Sequence, residues 1–594
     1  MNIHKRILPG LFFLIAVALL FPGFRVKAEA PTPPEGEWGY LRWGIDWQKF
    51  HLTSPRPIDI FVARLHRGET TATIDTAVAG GTITSDGREV PTAMSGRYNG
   101  VINYWGQTEP ISQTLVPAWG GRNDVAVAIN GFYFGDPNEP DGVPWSGVVH
   151  SGWYDKRYTE RITEGGGFAW TSDRRAFIGS CVYHTGNGKN EATFENTSFT
   201  PNLDGVNVIT RESEEFILFT PQYNSNTGTE NGVLELLVEM DNPSQIRPAP
   251  GSTGILRSIS SKGSTEIPFN HVVLSFWGTK RNSVRQRIDS GAIKVGDEVG
   301  IIQQITDCDI VPERDWDGIY AGLGGAYHFM NNGVYTDQGS GDPVVSNSRT
   351  AIAFNDDYVY FVVVDGFRPD SIGINIEELY DFLKNNPDIQ ATDAVTLDSG
   401  TSSTMVVNGA VINDTYCNFT RDCGVKVDPA LEKDPSQTVL PYETTYKTEW
   451  DNPTGILEPL VGSSIMLISS LPISQSLTFT PTQAITTTGS VEVRLGPGTN
   501  YASTGTAPAG AHGDVISNLN NLNGVLATGS YWWYVDIGDL AGWVQEQKLQ
   551  GGSTPPPPPP PIAFTDFIFM PTVSRSAAAF SSADAPRLQD QEHR

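Results

Sequence analysis

The stretch 349–409 constrains the fold more tightly than any other part of the chain. Residues 350–354 and 358–364 are apolar, β-prone runs separated by Asn355-Asp356-Asp357, which reads as a turn between two strands. The second run is apolar at almost every position, as a strand covered on both faces requires. Next, Asn375 and Glu378 have the spacing of a capping box, and Ile376, Leu379, Tyr380 and Leu383 recur at helix spacing until Pro387 ends the helix. Residues 394–397 then form a short buried strand. A strand–helix–strand crossover joins parallel strands, which finish on the same edge of a sheet. Asp365 directly follows the first strand and Asp398 the second, so two carboxylates are expected at the carboxyl edge, where open sheets place ligands.

After Asp398 comes a turn of Gly400, Thr401, Ser402 and Ser403, then a hairpin over 405–412 whose Asn408-Gly409 has the type I′ signature. A turn rich in glycine and hydroxyls can aim several backbone N–H groups at one anion, which suits a phosphate or a carboxylate.

The remaining sequence supplies the setting. With 594 residues the chain exceeds one hydrophobic core. A basic start (Lys5, Arg6), an apolar run over 11–21 and the small-residue site Ala28-Glu29-Ala30 read as a secretory signal peptide over 1–30. No later segment approaches a membrane span, so the mature chain should carry no transmembrane helix. In an exported protein four cysteines favour disulfides: Cys417 with Cys423 across a short loop, leaving Cys181 with Cys308. The net charge of −27 becomes −30 once the leader takes away four basic residues and one acidic one. Such a surface repels phosphate backbones and argues against nucleic acid as a partner.

Residues 471–487 are nearly uncharged and read as a linker. The following alternation of Val491, Val493 and Leu495, the core Val493-Arg494-x-Gly496-Pro497-Gly498-x-x-Tyr501 and the close Gly542-Trp543-Val544 resemble a bacterial SH3-like domain over 488–550. That resemblance implies a partner in cell-wall or surface glycan. Seven prolines, 555–561, form a polyproline II spacer before an aromatic tail, so 551–594 is a Pro-rich linker and C-terminal tail. The fold class expected is α+β: a strand-rich, mixed-sheet catalytic domain with few helices over 31–470, followed by a small all-β barrel.

Asp398-Ser399-Gly400-Thr401 alone has the look of an aspartic protease half-site. That mechanism needs two carboxylates sharing a proton, and the other candidate, Asp289-Ser290-Gly291, lacks the apolar strand ahead of it. A longer pattern points elsewhere. Arg349-Thr350-Ala351-Ile352, the strand ending Val364-Asp365-Gly366, the 397–409 segment, Asn130-Gly131-Phe132-Tyr133 upstream and the glycine-rich Tyr320–Gly325 stretch resemble, in order and spacing, the phosphodiester glycosidase family. Ser399 and Thr401 stand where that family has glycine.

The resemblance implies a secreted hydrolase that cleaves the glycosidic bond of a sugar-1-phosphodiester. Phosphate is a good leaving group, so the chemistry needs a carboxylate as nucleophile or water-activating base and donors for the phosphate. Asp398 fits the first role, Asp365 is the second carboxylate, and Arg349 offers a planar fork to phosphate. Asn130, Gly131, Tyr133, Thr350, Gly400, Thr401, Ser402, Ser403 and His328 are the substrate-binding candidates. No cofactor is required by this chemistry, although the acidic loop 136–141 could hold a divalent cation such as calcium. The competing reading is a non-catalytic surface glycan-binding protein on the same scaffold.

Overall fold

The computed structural model describes residues 32–78, 124–134, 143–156, 158, 165–184, 190–208, 214–241, 251–309, 316, 318–337, 339, 341–416, 459, 461–469, 475–499, 501–519, 522–527 and 530–551. All lie in the compact unit spanning 1–556. The leader 1–30, the acidic loop 136–141, the Cys417/Cys423 pair and the tail beyond 551 fall outside the described residues.

The apolar runs build an eight-stranded sheet in the order Gly39–Arg42, Ile45–Leu52, Ile58–His66, Tyr358–Val364, Arg349–Phe354, Asp393–Thr396, His328–Asn331, Val334–Tyr335. Every hydrogen-bonded pair in it is antiparallel. Tyr358–Val364 and Asp393–Thr396 therefore run parallel, as the crossover implies, but with Arg349–Phe354 between them. The three-residue turn at 355–357 explains this, because it keeps Arg349–Phe354 beside its hairpin partner and fills the slot next to it.

Among the described residues there are two α-helices, α1 (Gly278–Asp289) and α2 (Ile376–Asn385). The capping box forms: Asn375 Oδ1 accepts from the Glu378 N–H at 2.9 Å, and Glu378 Oε2 accepts from the Asn375 N–H at 3.0 Å. Helix α2 buries Ile376, Leu379, Phe382 and Leu383 against Val362, Val364, Ala351 and Ala353 on one face of the sheet. Ile352, Phe361, Val363, Val395 and Leu397 on the other face share a core with two five-stranded sheets. One of these is ordered Ala410–Val411, Met405–Val407, Asp124–Asn130, Ser463–Ser469, Ala72–Val78; the other is Trp153–Lys156, Val148–His150, Ile319–Gly324, Gly166–Thr171, Ala176–Ser180. The hairpin at Asn408-Gly409 has positive φ at both residues, 51° and 77°, as its turn type demands.

Within the expected domain over 31–470 the chain builds a further sheet. Cys181 and Cys308 form a disulfide with Cα atoms 5.6 Å apart, and between them the chain builds a separate lobe. Its seven-stranded sheet runs Glu191–Phe194, Glu298–Ile302, Ser252–Ser260, Leu234–Met240, His271–Phe276, Phe216–Phe219, Gly205–Val206, with the last pair parallel. Helix α1 belongs to this lobe, and the Glu215 carboxylate caps its start by accepting from the Thr279 N–H at 2.9 Å and the Lys280 N–H at 3.2 Å. Asp289 is the last residue of α1, so Asp289-Ser290-Gly291 is a helix end and not a strand-borne second protease half-site.

A third body is an eight-stranded sheet over 484–551, in which Val491 and Val493 point inward as their alternation predicts. It takes in more than the 488–550 expected. Within the presumed linker, Ala484–Thr487 is a strand and Phe479 is buried edge-on against Trp533 at 5.2 Å. A low-charge Ser/Thr-rich run reads as a linker because one buried aromatic is too little signal to mark packing. No helix among the described residues is long and apolar enough to cross a membrane.

Candidate functional site

Asp365 and Asp398 leave parallel strands at the same edge, one strand apart. Two strand spacings put their backbones about 10 Å from each other. Asp398 is fixed through its main chain, its N–H donating to Gly131 O at 3.1 Å and its carbonyl accepting from Asn130 Nδ2 at 2.7 Å. The Ser402 hydroxyl donates to Asp398 Oδ2 at 2.6 Å. Burial pushes this carboxyl up to about 7, against the opposing pull of the Ser402 hydroxyl and the Ser399 N–H.

Asp365 is also pushed up to about 7 by burial, opposed by Asn413, the Asp414 N–H and Arg368. Asn413 Nδ2 donates to Asp365 Oδ1 at 3.0 Å and to Ser403 O at 3.2 Å, tying this carboxylate to the turn that follows Asp398. Asp365 opens on a cleft of about 270 Å³ lined by Lys49, Asp59, Phe61, Arg368, Ile412 and Asp414. Arg368 spans Asp365 at 3.2 Å and Asp414 at 3.0 Å, and Lys49 pairs with Asp59 at 3.0 Å.

Asn130 and Gly131 end a central strand and act by positioning. Asn130 Oδ1 accepts from the Thr350 hydroxyl at 2.8 Å and the Thr404 N–H at 3.1 Å, so both ends of its amide are spent on protein. Thr350 is consumed by the same network. At Gly131 a Cβ would come within 2.2 Å of Ser463 Oγ, so only glycine lets the two strands close. Gly400 adopts φ +69°, and its carbonyl accepts from the Ser348 hydroxyl at 2.7 Å. The hydroxyls of Ser403, Thr404 and Ser463 are buried without a partner around Asn130–Gly131, an unusual concentration of unmet hydrogen bonds. Thr401 is half-buried on the same turn.

Tyr133 lies close enough to Asp398, Tyr327, Asp342 and Arg349 to feel their charge; burial first, then the Asp398 carboxylate, push its hydroxyl up, leaving it a neutral donor at ordinary pH. Its ring meets Trp145 at 5.7 Å, and Trp145 is 36% exposed, forming an aromatic wall beside the carboxylate.

Two candidates are placed differently from expectation. Arg349 is almost wholly buried, and its fork is used internally: Nη1 pairs with Asp342 Oδ2 at 2.6 Å, Nη2 donates to Asp342 O at 2.7 Å and Val345 O at 2.9 Å, and Nε to Ile374 O at 3.3 Å. It clamps the Asp342–Val344 turn and the start of α2 where a phosphate grip was expected; the turn just ahead of the strand supplies the acceptors that its guanidinium meets. His328 is engaged beside the neck of the lobe, with Nδ1 2.9 Å from Ser180 Oγ and 3.3 Å from Asp309 Oδ2.

Sequence reasoning missed Trp145, Ser463, Asn413 and the Lys49–Asp59 pair. Trp145, Ser463 and the Lys49–Asp59 pair join the site from distant strands or loops, and Asn413, one residue past the 405–412 hairpin, has no motif of its own to mark it. No group of three or more His, Cys, Asp or Glu able to hold a metal occurs among the described residues.

The class of protein to which this sheet edge is similar follows from a family model: that of the phosphodiester glycosidases matches residues 276–426. The match contains Arg349, Asp365, Asp398 and Asn413; Asn130, Tyr133 and Trp145 lie outside it. Among solved structures, the chain is similar to a hypothetical protein from Synechocystis, with 14% identity and a TM-score of 0.42 over 74% of this chain, and spans 64% of that protein's length. A protein from Burkholderia pseudomallei gives 15% identity and a TM-score of 0.38, covering 70% of this chain and 74% of its own. The catalytic domain of zebrafish N-acetylglucosamine-1-phosphodiester alpha-N-acetylglucosaminidase gives 11% and 0.31, covering 74% and 86%. No curated protein matches the chain.

Proposed function

We propose that this chain is an exported hydrolase that cleaves the glycosidic bond of a sugar-1-phosphodiester, with Asp398 as the reacting carboxylate. The observation that carries the reading is Asp398 itself. It stands at a strand end inside the family-matched span, held by Asn130 and Gly131, hydrogen-bonded by Ser402, with a carboxyl raised to about 7. A carboxylate poised near neutrality can take a proton from water or attack the anomeric carbon, while the departing phosphate needs little protonation. With Arg349 engaged elsewhere, the phosphate donors assigned are the neutral Tyr133 hydroxyl, which feels the Asp398 charge, and the Thr401 hydroxyl on the turn after Asp398. Export rests on the leader sequence over 1–30.

The test is turnover of UDP-N-acetylglucosamine and a synthetic sugar-1-phosphodiester by the full mature chain and by Asp398→Asn. Free sugar released by the parent alone supports the proposal, with kcat/KM rising with pH through about 7 as Asp398 ionises. Binding without turnover in either protein selects the glycan-binding alternative.

A further inference from the structure

We propose that the C-terminal module acts in cis: Tyr501, Tyr534 and Trp543 form an aromatic socket that receives Phe269 of the Cys181–Cys308 lobe, so lobe and module are one body and the socket is closed to outside ligands. The knob is built for the purpose. The His271 N–H bonds Pro268 O at 3.1 Å, Asn270 takes φ +62°, and Asn270 Nδ2 donates to Met240 O at 2.7 Å, a tight turn that projects Phe269 from the lobe sheet. Its ring meets Trp543 edge-on at 5.6 Å and Tyr501 at 6.2 Å, and Trp543 in turn meets Tyr534 at 5.6 Å. The Phe269 N–H donates to Leu495 O at 2.9 Å, registering the knob against the module's backbone.

The motif that marks this module in the sequence is spent on the socket. The Tyr501 ring packs on Gly496, where any Cβ would come within 2.5 Å of it, and Arg494 Nη1 donates to Tyr501 O at 2.6 Å. A second latch lies nearby, the Leu519 N–H donating at 2.9 Å to Glu239 Oε1 of the lobe, whose other oxygen accepts from Arg257 at 2.6 Å.

The strand Ser530–Ile537 gives an independent argument. Adjacent residues of a strand face opposite sides, yet Trp532 and Trp533 are both buried, each 2% exposed. Trp533 fills the module's own core with Val491, Val493 and Val535. Trp532 instead joins Trp543, Leu522 and Val525 in a core shared with Leu236, Val238, Val272 and Leu274 of the lobe. With Phe269 at 2% and Trp543 at 3% exposure, the tryptophan at the centre of the socket has no face left for a glycan to stack on, while Tyr501 and Tyr534 at its rim are half-buried.

Hydrogen exchange on the full chain tests this without reference to catalysis. In the parent, amides in 530–545 and in 234–240 and 271–276 should open in one event as urea is raised. Phe269→Ala should speed exchange at least tenfold in both groups while leaving 349–364 unchanged. The proposal is overturned if 530–545 keeps its parental rate in Phe269→Ala, or if module and lobe already open separately in the parent. Should Phe269→Ala not accumulate in folded form, Phe269→Leu, which keeps bulk and loses the ring, is read by the same criteria.

Discussion

Replacing Asp398 by asparagine should abolish turnover and, above neutral pH, stabilise the fold. Burial raises this carboxyl from 3.8 to about 7 in the folded chain. The folded state therefore holds a proton that the unfolded state has released, and the stability this group confers is complete below about pH 4 and lost as pH climbs to about 7. At about 1.4 kcal/mol per unit, a shift of about three units costs on the order of 4 kcal/mol at pH 8, and roughly 3 kcal/mol of that appears between pH 5 and pH 8. Asparagine cannot ionise and keeps an acceptor for the Ser402 hydroxyl, so it escapes the cost. The assay is urea unfolding of parent and variant at pH 5 and pH 8, followed through amides of the Arg349–Phe354 and Asp393–Thr396 strands. Asp365 titrates in both proteins and cancels. The advantage of the variant should widen by roughly 3 kcal/mol over that range. A gap that stays constant to within about 1 kcal/mol would refute the argument that burial holds a proton on Asp398.

Other perturbations follow from the same contacts. Arg349→Ala removes a buried guanidinium bonded to Asp342, Val345 and Ile374, and should cost about 3–5 kcal/mol, seen as a fall in Tm; a variant with unchanged Tm and only a raised KM would restore Arg349 as a phosphate ligand. Gly131→Ala drives a methyl into Ser463 and should cost about 1–3 kcal/mol with loss of turnover, while adding Ser463→Gly, which removes the 2.2 Å contact and leaves the Ser463 carbonyl carbon at 3.0 Å, should recover part of both; no recovery at all would mean that the Ser463 side chain is not the cause. Trp145→Ala should raise KM for sugar phosphodiesters by up to about tenfold with Tm nearly unchanged, since loss of a stacking face costs about 0.5–1.5 kcal/mol; an unaltered KM would remove the aromatic wall from the site.

The features legible in the sequence were those fixed within a few residues. The capping box at Asn375 and Glu378, the type I′ turn at Asn408-Gly409 and the strand ends that present Asp365 and Asp398 each follow from local periodicity. The side chains that hold Asp398 in place do not, because Asn130 reaches it from 268 positions away along the chain. Arg349 shows the same limit from the other side. Its charge and position imply an anion, but only the fold reveals that Asp342, seven residues earlier, reaches it first. The lobe escaped notice because its strands have the same alternation as those of the surrounding sheets, and nothing in a strand's pattern says which sheet it joins.

The neck at Cys181 and Cys308 brings the two ends of the lobe together. Its entry and exit lie 5.6 Å apart, a gap that a splice of one or two residues, each about 3.3–3.6 Å, can close without moving the strand that ends at Ser180. Excision would nevertheless uncover side chains on two sides, because Trp532 and Trp543 of the module and Val149, Trp153 and Ala169 of the adjoining sheet share the lobe's core. A minimal version of this protein must therefore lose 182–307 and everything from 475 onward together, and carry polar replacements at Val149, Trp153 and Ala169, whose cover goes with them. By the same logic, a chain that gained the lobe by insertion would have had its sheet only partly covered until the C-terminal module was also present.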